Sequence, residues 1–167
     1  MIILGIDPGI ANTGYGIIKA ESSTFTPLGF GSIRTSSKDE SEQRLKIIHD
    51  ELTQLADEYQ PELFVLEDVI FSKNVSSAFA VGEARGIAKL VAANTNRRVY
   101  SYPPALIKQA VVGYGKASKR QVQEMVKLLL RLKEIPRPDH AADALAIAIC
   151  HARSHKILQL RERHLKS

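Results

Sequence analysis

Residues 1–9 read MIILGIDPG, a short apolar run that stops at Asp7 and is followed by a turn-forming Pro-Gly pair. Residues 63–67 repeat the arrangement as LFVLE, in which the apolar run stops at Glu67. Runs this short and this rich in Leu, Ile, Val and Phe are typical of strands buried on both faces of a parallel sheet. Because the carboxyl ends of parallel strands form one edge of the sheet, we expect Asp7 and Glu67 to lie at that edge.

A third acidic segment, Asp139-His140-Ala141-Ala142-Asp143, begins a predicted helix. His140 and Asp143 are three residues apart and Asp139 and Asp143 are four apart, so either pair can share a helix face. Spacing alone leaves open which of Asp139 and His140 faces a site, because an acid is also favoured in a first helical turn and a histidine there can face solvent. Asp143 interrupts an alanine-rich stretch that we expect to be buried, where an unpaired carboxylate is costly.

Carboxylates gathered at one sheet edge repel one another unless a cation lies between them. Hard divalent cations with oxygen ligands suit such a place. Taken singly, Asp7 could instead begin a turn and Glu67 could pair with a basic neighbour. Taken together, the three acidic segments predict a site for two Mg²⁺ ions about 4 Å apart, which would hold a phosphodiester during an in-line displacement of its 3′-oxygen by water.

The remaining elements follow from hydrophobic periodicity and turn residues. Residues 7–14 are predicted to form a turn, and residues 15–19 and 25–34 the next two strands of an antiparallel meander. Helical spacing predicts a helix over residues 40–60, so the strand that follows should pair in parallel with an earlier one. Further predicted elements are a helix over 76–94, a strand over 98–102, a short helix over 106–111, a helix capped by Ser118 and Gln121, and a final helix from Pro138.

Gly82 and Gly86 lie one turn apart on the predicted helix over residues 76–94. Glycines at this spacing let another backbone approach the helix, either the underlying sheet or a second subunit. The sheet is the preferred interpretation of the sequence.

Length and composition indicate one domain. The chain has 167 residues, of which 44% are hydrophobic and 25% are charged, and these values are ordinary for a globular protein. We expect the domain to span residues 1–153 and residues 154–167 to form a basic, poorly held tail. The lone Cys150 fits a reducing compartment, and the sequence has neither a signal peptide nor a membrane-spanning run, so the predicted location is the cytoplasm.

Charge is distributed unevenly along the chain. Residues 1–96 hold 8 Lys and Arg against 13 Asp and Glu, a net charge of −5. Residues 97–167 hold 15 Lys and Arg against 5 Asp and Glu, a net charge of +10. The basic half therefore indicates either a polyanionic partner or a solvated basic face, and charge alone does not separate the two.

The motifs taken in order resemble one family. Asp7-Pro8-Gly9 with Thr13-Gly14 forms the pattern Asp-x-Gly-x-x-x-Thr-Gly. It is followed by Glu67-Asp68-Val69, Lys73-Asn74, Ala84-Arg85-Gly86, Tyr102-Pro103-Pro104, Ile107-Lys108, Val111-Val112-Gly113 and the run from His140 to Ala146. In this order and spacing, over residues 1–153, they resemble the RuvC family of Holliday junction resolvases.

The resemblance implies an α/β, ribonuclease H-like fold with a five-stranded mixed sheet flanked by helices. It also implies a homodimer that acts in recombination and repair by nicking two opposing strands of a four-way DNA junction, leaving 5′-phosphate and 3′-hydroxyl ends. The family's catalytic, metal-binding positions fall here on Asp7, Glu67, His140 and Asp143, for Mg²⁺ or substituting Mn²⁺. Some members carry aspartate where this chain has His140, which could bind metal or position the attacking water, and Asp139 competes with it.

The resemblance also gives the basic half a role. Lys108 and Lys119 match positions that contact junction DNA in the family, and Lys116 and Arg120 flank them. Phe71 stands near the place where family members stack an aromatic ring on the junction, although ordinary loop packing is the alternative. The family further implies cooperation with the RuvA–RuvB branch-migration machinery.

Three other functions are compatible with parts of the sequence. The Asp-x-Gly-x-x-x-Thr-Gly pattern also resembles the phosphate loop of sugar kinases and actin, but those proteins need two such domains and 167 residues supply one. A junction-binding protein without activity would have lost its acidic set, which is present here apart from the histidine. A nuclease of the same fold that acts on RNA is disfavoured by the match through Lys108 and the final helix.

Overall fold

The computed structural model describes residues 1–68 and 75–165, with side chains for residues 1–68 and 78–155. Five strands and five helices lie within these ranges. The strands are β1 (Ile2–Asp7), β2 (Asn12–Glu21), β3 (Thr24–Arg34), β4 (Leu63–Glu67) and β5 (Arg98–Tyr102). The helices are α1 (Ser41–Tyr59), α2 (Val75–Asn94), α3 (Pro104–Val112), α4 (Lys119–Leu129) and α5 (Asp139–Leu165).

The strands form one mixed sheet in the order β3-β2-β1-β4-β5. Strands β1, β4 and β5 are parallel, whereas β2 pairs antiparallel with both β1 and β3. This confirms the predicted five-stranded mixed sheet. The register pairs Ile6 with Leu66, so the carboxyl ends of β1 and β4 are adjacent and Asp7 and Glu67 end neighbouring strands.

The first hairpin is tighter than the sequence predicts. Strand β2 begins at Asn12 and pairs Gly14 with Asp7, so only residues 8–11 form the turn. The prediction of a turn through residue 14 was wrong because Thr13 is wholly buried within the ladder while its hydroxyl still bonds the Gly9 carbonyl. A turn-favouring sequence here continues as strand once its partner strand is present.

Helices cover both faces of the sheet. Helices α3, α4 and α5 share one core with the side chains of Ile3 and Val65, whereas α1 and α2 share the other with Leu4 and Phe64. These four strand residues are wholly buried. Because strand side chains alternate in direction, Asp7 and Glu67 continue the series of Ile3 and Val65 and point toward the α5 face.

Helix α5 lies directly on the strands because glycines face it. An added Cβ at Gly14 would meet the carbonyl oxygen of His140, and one at Gly5 would meet that of Ala144. Gly16 lies in the same way against Leu145, 2.8 Å from its backbone nitrogen to the position of an added Cβ. The start of α5 therefore rests on β2 and on β1, the strand that carries Asp7.

The helix ends follow the sequence in part. The Ser118–Gln121 capping box is present at the start of α4, as predicted. Helix α5 begins at Asp139, one residue after Pro138, and its backbone continues to Leu165, beyond the predicted domain boundary at residue 153. That residues 154–167 are poorly held stays a prediction. None of the helices within the described ranges is long and apolar enough to cross a membrane.

The glycines of α2 face away from the sheet. A Cβ added at Gly82 or Gly86 meets nothing within 4 Å, whereas Ala84 and Ala88 are wholly buried against the core. The preferred interpretation, close approach to the sheet, was therefore wrong. The second interpretation, a partner subunit, remains.

Candidate active site

Four side chains converge where the parallel strands end. Asp7 ends β1, Glu67 ends the neighbouring β4, and His140 and Asp143 lie in the first turns of α5. An open cleft of about 210 Å³ lies at this edge. Its lining includes Asp7, Glu67 and Asp143 together with Lys108 and Lys119.

Asp7, His140 and Asp143 form the tightest group. Nδ1 of His140 lies 2.7 Å from Oδ2 of Asp7, and one ligand atom of each residue falls within 4.8 Å of the others. The side chains are 18%, 43% and 31% exposed for Asp7, His140 and Asp143, so a group entering from the cleft can reach all three. Two carboxylates and an imidazole at this spacing can hold a divalent cation.

Burial and mutual repulsion shift the carboxyl groups of this cleft. Burial raises the pKa of Asp7, and Asp143 adds to the rise, while the hydrogen bond from His140 opposes it. Burial, together with the charges of Asp7 and Asp143, raises the pKa of Glu67 to about 7. The nearby cations of Lys108 and Arg85 only partly offset that rise. The cleft therefore favours an added positive charge.

Lys119 supplies one such charge. Its Nζ donates to Oδ2 of Asp143 at 3.0 Å and lies 3.7 Å from Oδ2 of Asp139. Partial burial acts to lower the pKa of Lys119, but the hydrogen bond to Asp143 and the charges of Asp139 and Asp7 raise it overall. Lys119 was predicted from the family as a DNA contact, and its pairing with Asp143 was not foreseen.

Asp139 is held at the margin of the site. Its Oδ1 accepts a hydrogen bond of 2.7 Å from Arg137, and its other oxygen faces Lys119. Asp139 does not belong to the group that could share one cation, whereas His140 does. The geometry therefore favours His140 over Asp139 as the fourth site residue.

The other predicted DNA contacts are placed unevenly. Lys108 lines the cleft, but Lys116 and Arg120 do not. Lys116 is exposed, and Arg120 lines a neighbouring groove with residues of α4. Phe71 lies outside the described residues, so its proposed stacking stays a prediction.

Sequence reasoning missed the contacts that surround Glu67. Arg85 on α2 donates to the Glu67 backbone carbonyl, to Oδ1 of Asp68 at 3.0 Å and to Oγ of Ser101 at 2.9 Å. Ala84-Arg85-Gly86 is one of the motifs shared with the family, but no local sequence pattern indicates that Arg85 contacts a strand that ends 18 residues earlier.

Comparison with known sequences identifies close relatives. The family model described as "Crossover junction endodeoxyribonuclease RuvC" matches residues 3–151. The crossover junction endodeoxyribonuclease RuvC of Alkaliphilus metalliredigens is 53% identical over 154 residues, which cover 92% of this chain and 94% of the relative. The protein of the same name from Alkaliphilus oremlandii is 49% identical over 160 residues, covering 96% and 98%.

Solved structures agree with the sequence relatives. Thermus thermophilus RuvC superposes with a TM-score of 0.88 at 36% identity, over 94% of this chain and 96% of that one. T. thermophilus RuvC in complex with a Holliday junction substrate superposes with a TM-score of 0.90 at 35% identity, over the same shares. These likenesses confirm the predicted ribonuclease H-like fold.

Proposed function

This chain belongs to the RuvC family of crossover junction endodeoxyribonucleases, and we propose that it cuts DNA junctions with divalent cations held by Asp7, Glu67, His140 and Asp143. Resolution of Holliday junctions is its function. The proposal adds the metal dependence, the residues that carry it and the symmetric nicking of two opposing strands. The observation that carries it is the convergence of these four side chains at the ends of β1 and β4 and the start of α5.

The donor set fits hard divalent cations such as Mg²⁺. Three carboxylates line a cleft in which burial and repulsion raise the pKa of Asp7 and of Glu67, and the imidazole of His140 contacts Asp7. Carboxylate oxygens are the protein ligands that Mg²⁺ prefers, and Mn²⁺ tolerates the imidazole better. When bound, the ions would supply Lewis acidity at the scissile phosphate and acidify a water molecule.

His140 contributes a defined lone pair. With Asp7 ionised, the Nδ1–H of neutral His140 donates a hydrogen bond of 2.7 Å to Oδ2 of Asp7. Its Nε2 then carries the lone pair, which can bind a cation or accept a proton from the attacking water. Asp7 holds the ring in this tautomer, so the two residues act as a unit.

The cleft lysines fit a phosphodiester. Lys108 and Lys119 line the same cleft as the carboxylates, so their ammonium groups flank the place where a phosphate would meet the cations. Lys116 and Arg120 extend positive charge beyond the cleft. Contacts of this kind make DNA binding strongly salt-dependent. The reaction would leave 5′-phosphate and 3′-hydroxyl ends.

A homodimer through α2 would supply the two active centres that symmetric nicking needs. The outward face of α2 carries Phe79, which is 72% exposed, and Leu90, which is 49% exposed. Gly82, Gly86 and Ala93 lie on the same side and are exposed. An exposed stripe of large apolar and small residues along one helix is the kind of surface that a second helix covers.

The stripe is self-complementary about Gly86. If two copies of α2 cross antiparallel at Gly86, positions equally far before and after it face each other across the two-fold axis. Phe79 then faces Ala93 and Gly82 faces Leu90, so a large side chain meets a small residue each time. Glu83 faces Lys89 with opposite charge. This pattern supports an isologous contact at α2.

The cell context is proposed from the family. Because the substrate is chromosomal DNA, we place the enzyme in the compartment that holds it, which in bacteria is the cytoplasm. Cooperation with a RuvA–RuvB branch-migration complex is likewise proposed from family membership.

A junction-cleavage assay tests the proposed function. A synthetic four-way junction and a linear duplex of equal sequence are offered with Mg²⁺ or with EDTA. We expect paired nicks in opposing strands of the junction only, in Mg²⁺ only, and re-ligation of the products by DNA ligase without further processing. Cutting of the linear duplex at a similar rate, or cutting in EDTA, would contradict the proposal.

A further inference from the structure

We infer that Arg85 is a positioning residue of this site, which fixes the end of β4 so that Glu67 faces the cleft while Asp68 is kept out of it. The inference rests on the proposed metal-dependent function of Glu67. It assigns the choice between the adjacent acids Glu67 and Asp68, at the end of β4, to a residue on helix α2.

The choice arises from strand alternation. Glu67 follows Val65 on the α5 face of the sheet, and Asp68 would continue the series of Phe64 and Leu66 on the α2 face. The proposed ligand Glu67 and the non-ligand Asp68 are adjacent in the chain, and the strand ends at Glu67. A small rotation of the backbone there would therefore present the wrong carboxylate to the cleft.

Arg85 blocks that rotation by binding three groups at once. One guanidinium nitrogen donates to the Glu67 carbonyl, and the other donates to Oδ1 of Asp68 and Oγ of Ser101, at 3.0 and 2.9 Å. Ser101 lies on β5 opposite Leu66, so the guanidinium ties together the ends of both strands. A backbone bond of 2.8 Å from Asp68 to the Tyr102 carbonyl completes the clamp.

The clamp also neutralises Asp68. Its carboxylate is 44% exposed and stands next to the site, so without a partner it would compete for a cation. The Arg85 side chain is only 13% exposed, and its planar fork directs donors from two nitrogens toward fixed acceptors. A lysine offers its donors from a single nitrogen and cannot reproduce all three contacts.

The turn of α2 that carries Arg85 is packed against the sheet. Arg85 is flanked on α2 by Ala84, which is wholly buried, and by Gly86, on the outward stripe. The same turn of α2 thus packs on the sheet, holds the end of β4 and carries the proposed subunit contact. Loss of the clamp should loosen Glu67 without unfolding the helix.

Substitution of Arg85 tests the inference. We expect Arg85→Met to lower the kcat of junction cleavage about 10- to 100-fold, as is usual when a residue that orients a metal ligand is removed. Junction affinity in EDTA and the sedimentation of the protein should stay unchanged. Arg85→Lys should recover only part of the loss. Arg97→Met is the matched control, because Arg97 contacts Gln60 at the opposite end of the parallel strands from Glu67.

A second substitution separates positioning from folding. In Arg85→Met, the freed Asp68 carboxylate competes with Glu67, so adding Asp68→Asn should restore part of both the kcat and the Mn²⁺ affinity measured by calorimetry. If the role of Arg85 were merely structural, Asp68→Asn would not rescue Arg85→Met. A rescue with unchanged circular dichroism would therefore support the inference. Wild-type kcat in Arg85→Met, or a further loss in the double variant, would overturn it.

The two proposals fail in different ways. If the wild-type protein does not cut junctions, the proposed function is wrong, but the Mn²⁺ titration still reports whether Arg85 governs metal affinity. If the wild-type protein cuts junctions and Arg85→Met matches it in kcat and in Mn²⁺ affinity, only the role of Arg85 is wrong.

Discussion

Nζ of Lys119 lies 3.0 Å from Oδ2 of Asp143, so a proposed DNA contact and a proposed metal ligand share a hydrogen bond. A divalent cation on Asp143 competes with Lys119 for the same oxygen. The ion pair is partly exposed, at 52% and 31% for the two side chains, so it contributes modestly to the energy of the site. Release of Lys119 toward a phosphate would then accompany metal binding.

Removal of Lys119 should therefore have opposite effects on metal binding and on junction binding. We expect Lys119→Met to bind Mn²⁺ up to about fivefold more tightly, since a partly exposed ion pair contributes about 1 kcal/mol at most. The same variant should bind junctions more weakly in Mg²⁺ than the wild type. Calorimetry and gel-shift titration measure the two affinities. Lys116→Met is the control, because Lys116 lies outside the cleft: it should weaken junction binding without tightening Mn²⁺ binding. Unchanged Mn²⁺ affinity in Lys119→Met would refute the competition between Lys119 and the cation.

Asp7→Asn should abolish cleavage while preserving junction binding. The substitution keeps the shape of the side chain and removes the charge that holds both His140 and a cation. We expect cleavage to fall about 1,000-fold or more, because the metal and the general base are lost as a unit. Gel-shift titration should show a junction affinity within about threefold of the wild type. Full cleavage by Asp7→Asn would remove Asp7 from the site.

The neighbouring residues of the third acidic segment can be told apart. His140 contacts Asp7, whereas Asp139 is bound by Arg137. We expect His140→Ala to slow cleavage about 100-fold, the usual value of a positioned acid or base. Asp139→Ala should remain within a few-fold of the wild type, since it loses only exposed ion pairs. Single-turnover assays compare them, and the opposite order would show that Asp139 is the functional neighbour.

Glu67→Gln should stabilise the protein at alkaline pH when no metal is present. The pKa of Glu67 is about 7 in the folded protein against 4.5 as the ordinary value. The stability linked to its proton is fully present below pH 4.5 and is lost as the pH rises through 7. Removing the charge should add about 1 to 2 kcal/mol to the free energy of unfolding at pH 8, less than the whole shift because Glu67 is partly exposed.

Urea unfolding in EDTA at pH 5 and pH 8 measures this effect. The gain in Glu67→Gln should be small at pH 5 and larger at pH 8. Asp68→Asn is the matched control, because it weakens a charge-assisted bond with Arg85 and should not stabilise the protein. Equal stability of wild type and Glu67→Gln at pH 8 would show that the cleft tolerates the Glu67 charge.

A larger side chain at Gly86 should break the proposed dimer. A Cβ there meets nothing within 4 Å of the single chain, so an alanine should stabilise the isolated helix by about 1 kcal/mol. At a helix crossing, the side chain of Gly86→Leu instead holds the partner away. We expect Gly86→Leu to sediment as a folded monomer, whereas Gln54→Leu on the exposed side of α1 keeps the wild-type state.

Charge reversal checks the antiparallel crossing itself. Glu83→Lys or Lys89→Glu alone should weaken the dimer, because each places like charges opposite one another. The double exchange should restore it. Failure of the double exchange to restore association would rule out a crossing centred on Gly86.

The local parts of the site were predictable from sequence. Asp7 and Glu67 each end a buried run, and strand pairing brings such ends together. Which face of α2 packs on the sheet was harder to predict. The spacing of Gly82 and Gly86 allowed contact with either the sheet or a second subunit, and only the packed structure shows that Ala84 and Ala88 lie on the buried side. Contacts such as Lys119 to Asp143 join residues distant in the chain, and no periodicity reports them.

The glycines beneath α5 make the site sensitive to the smallest possible side chain. Gly14 leaves room for the carbonyl of His140, so a single methyl group there would lift the start of the helix. His140 and Asp143 would move away from Asp7 although every chemical group remained in the chain. A survey of inactive variants should thus find Gly14→Ala together with the substitutions of the carboxylates. This variant would be inactive because its site residues are too far apart, although none of them has changed.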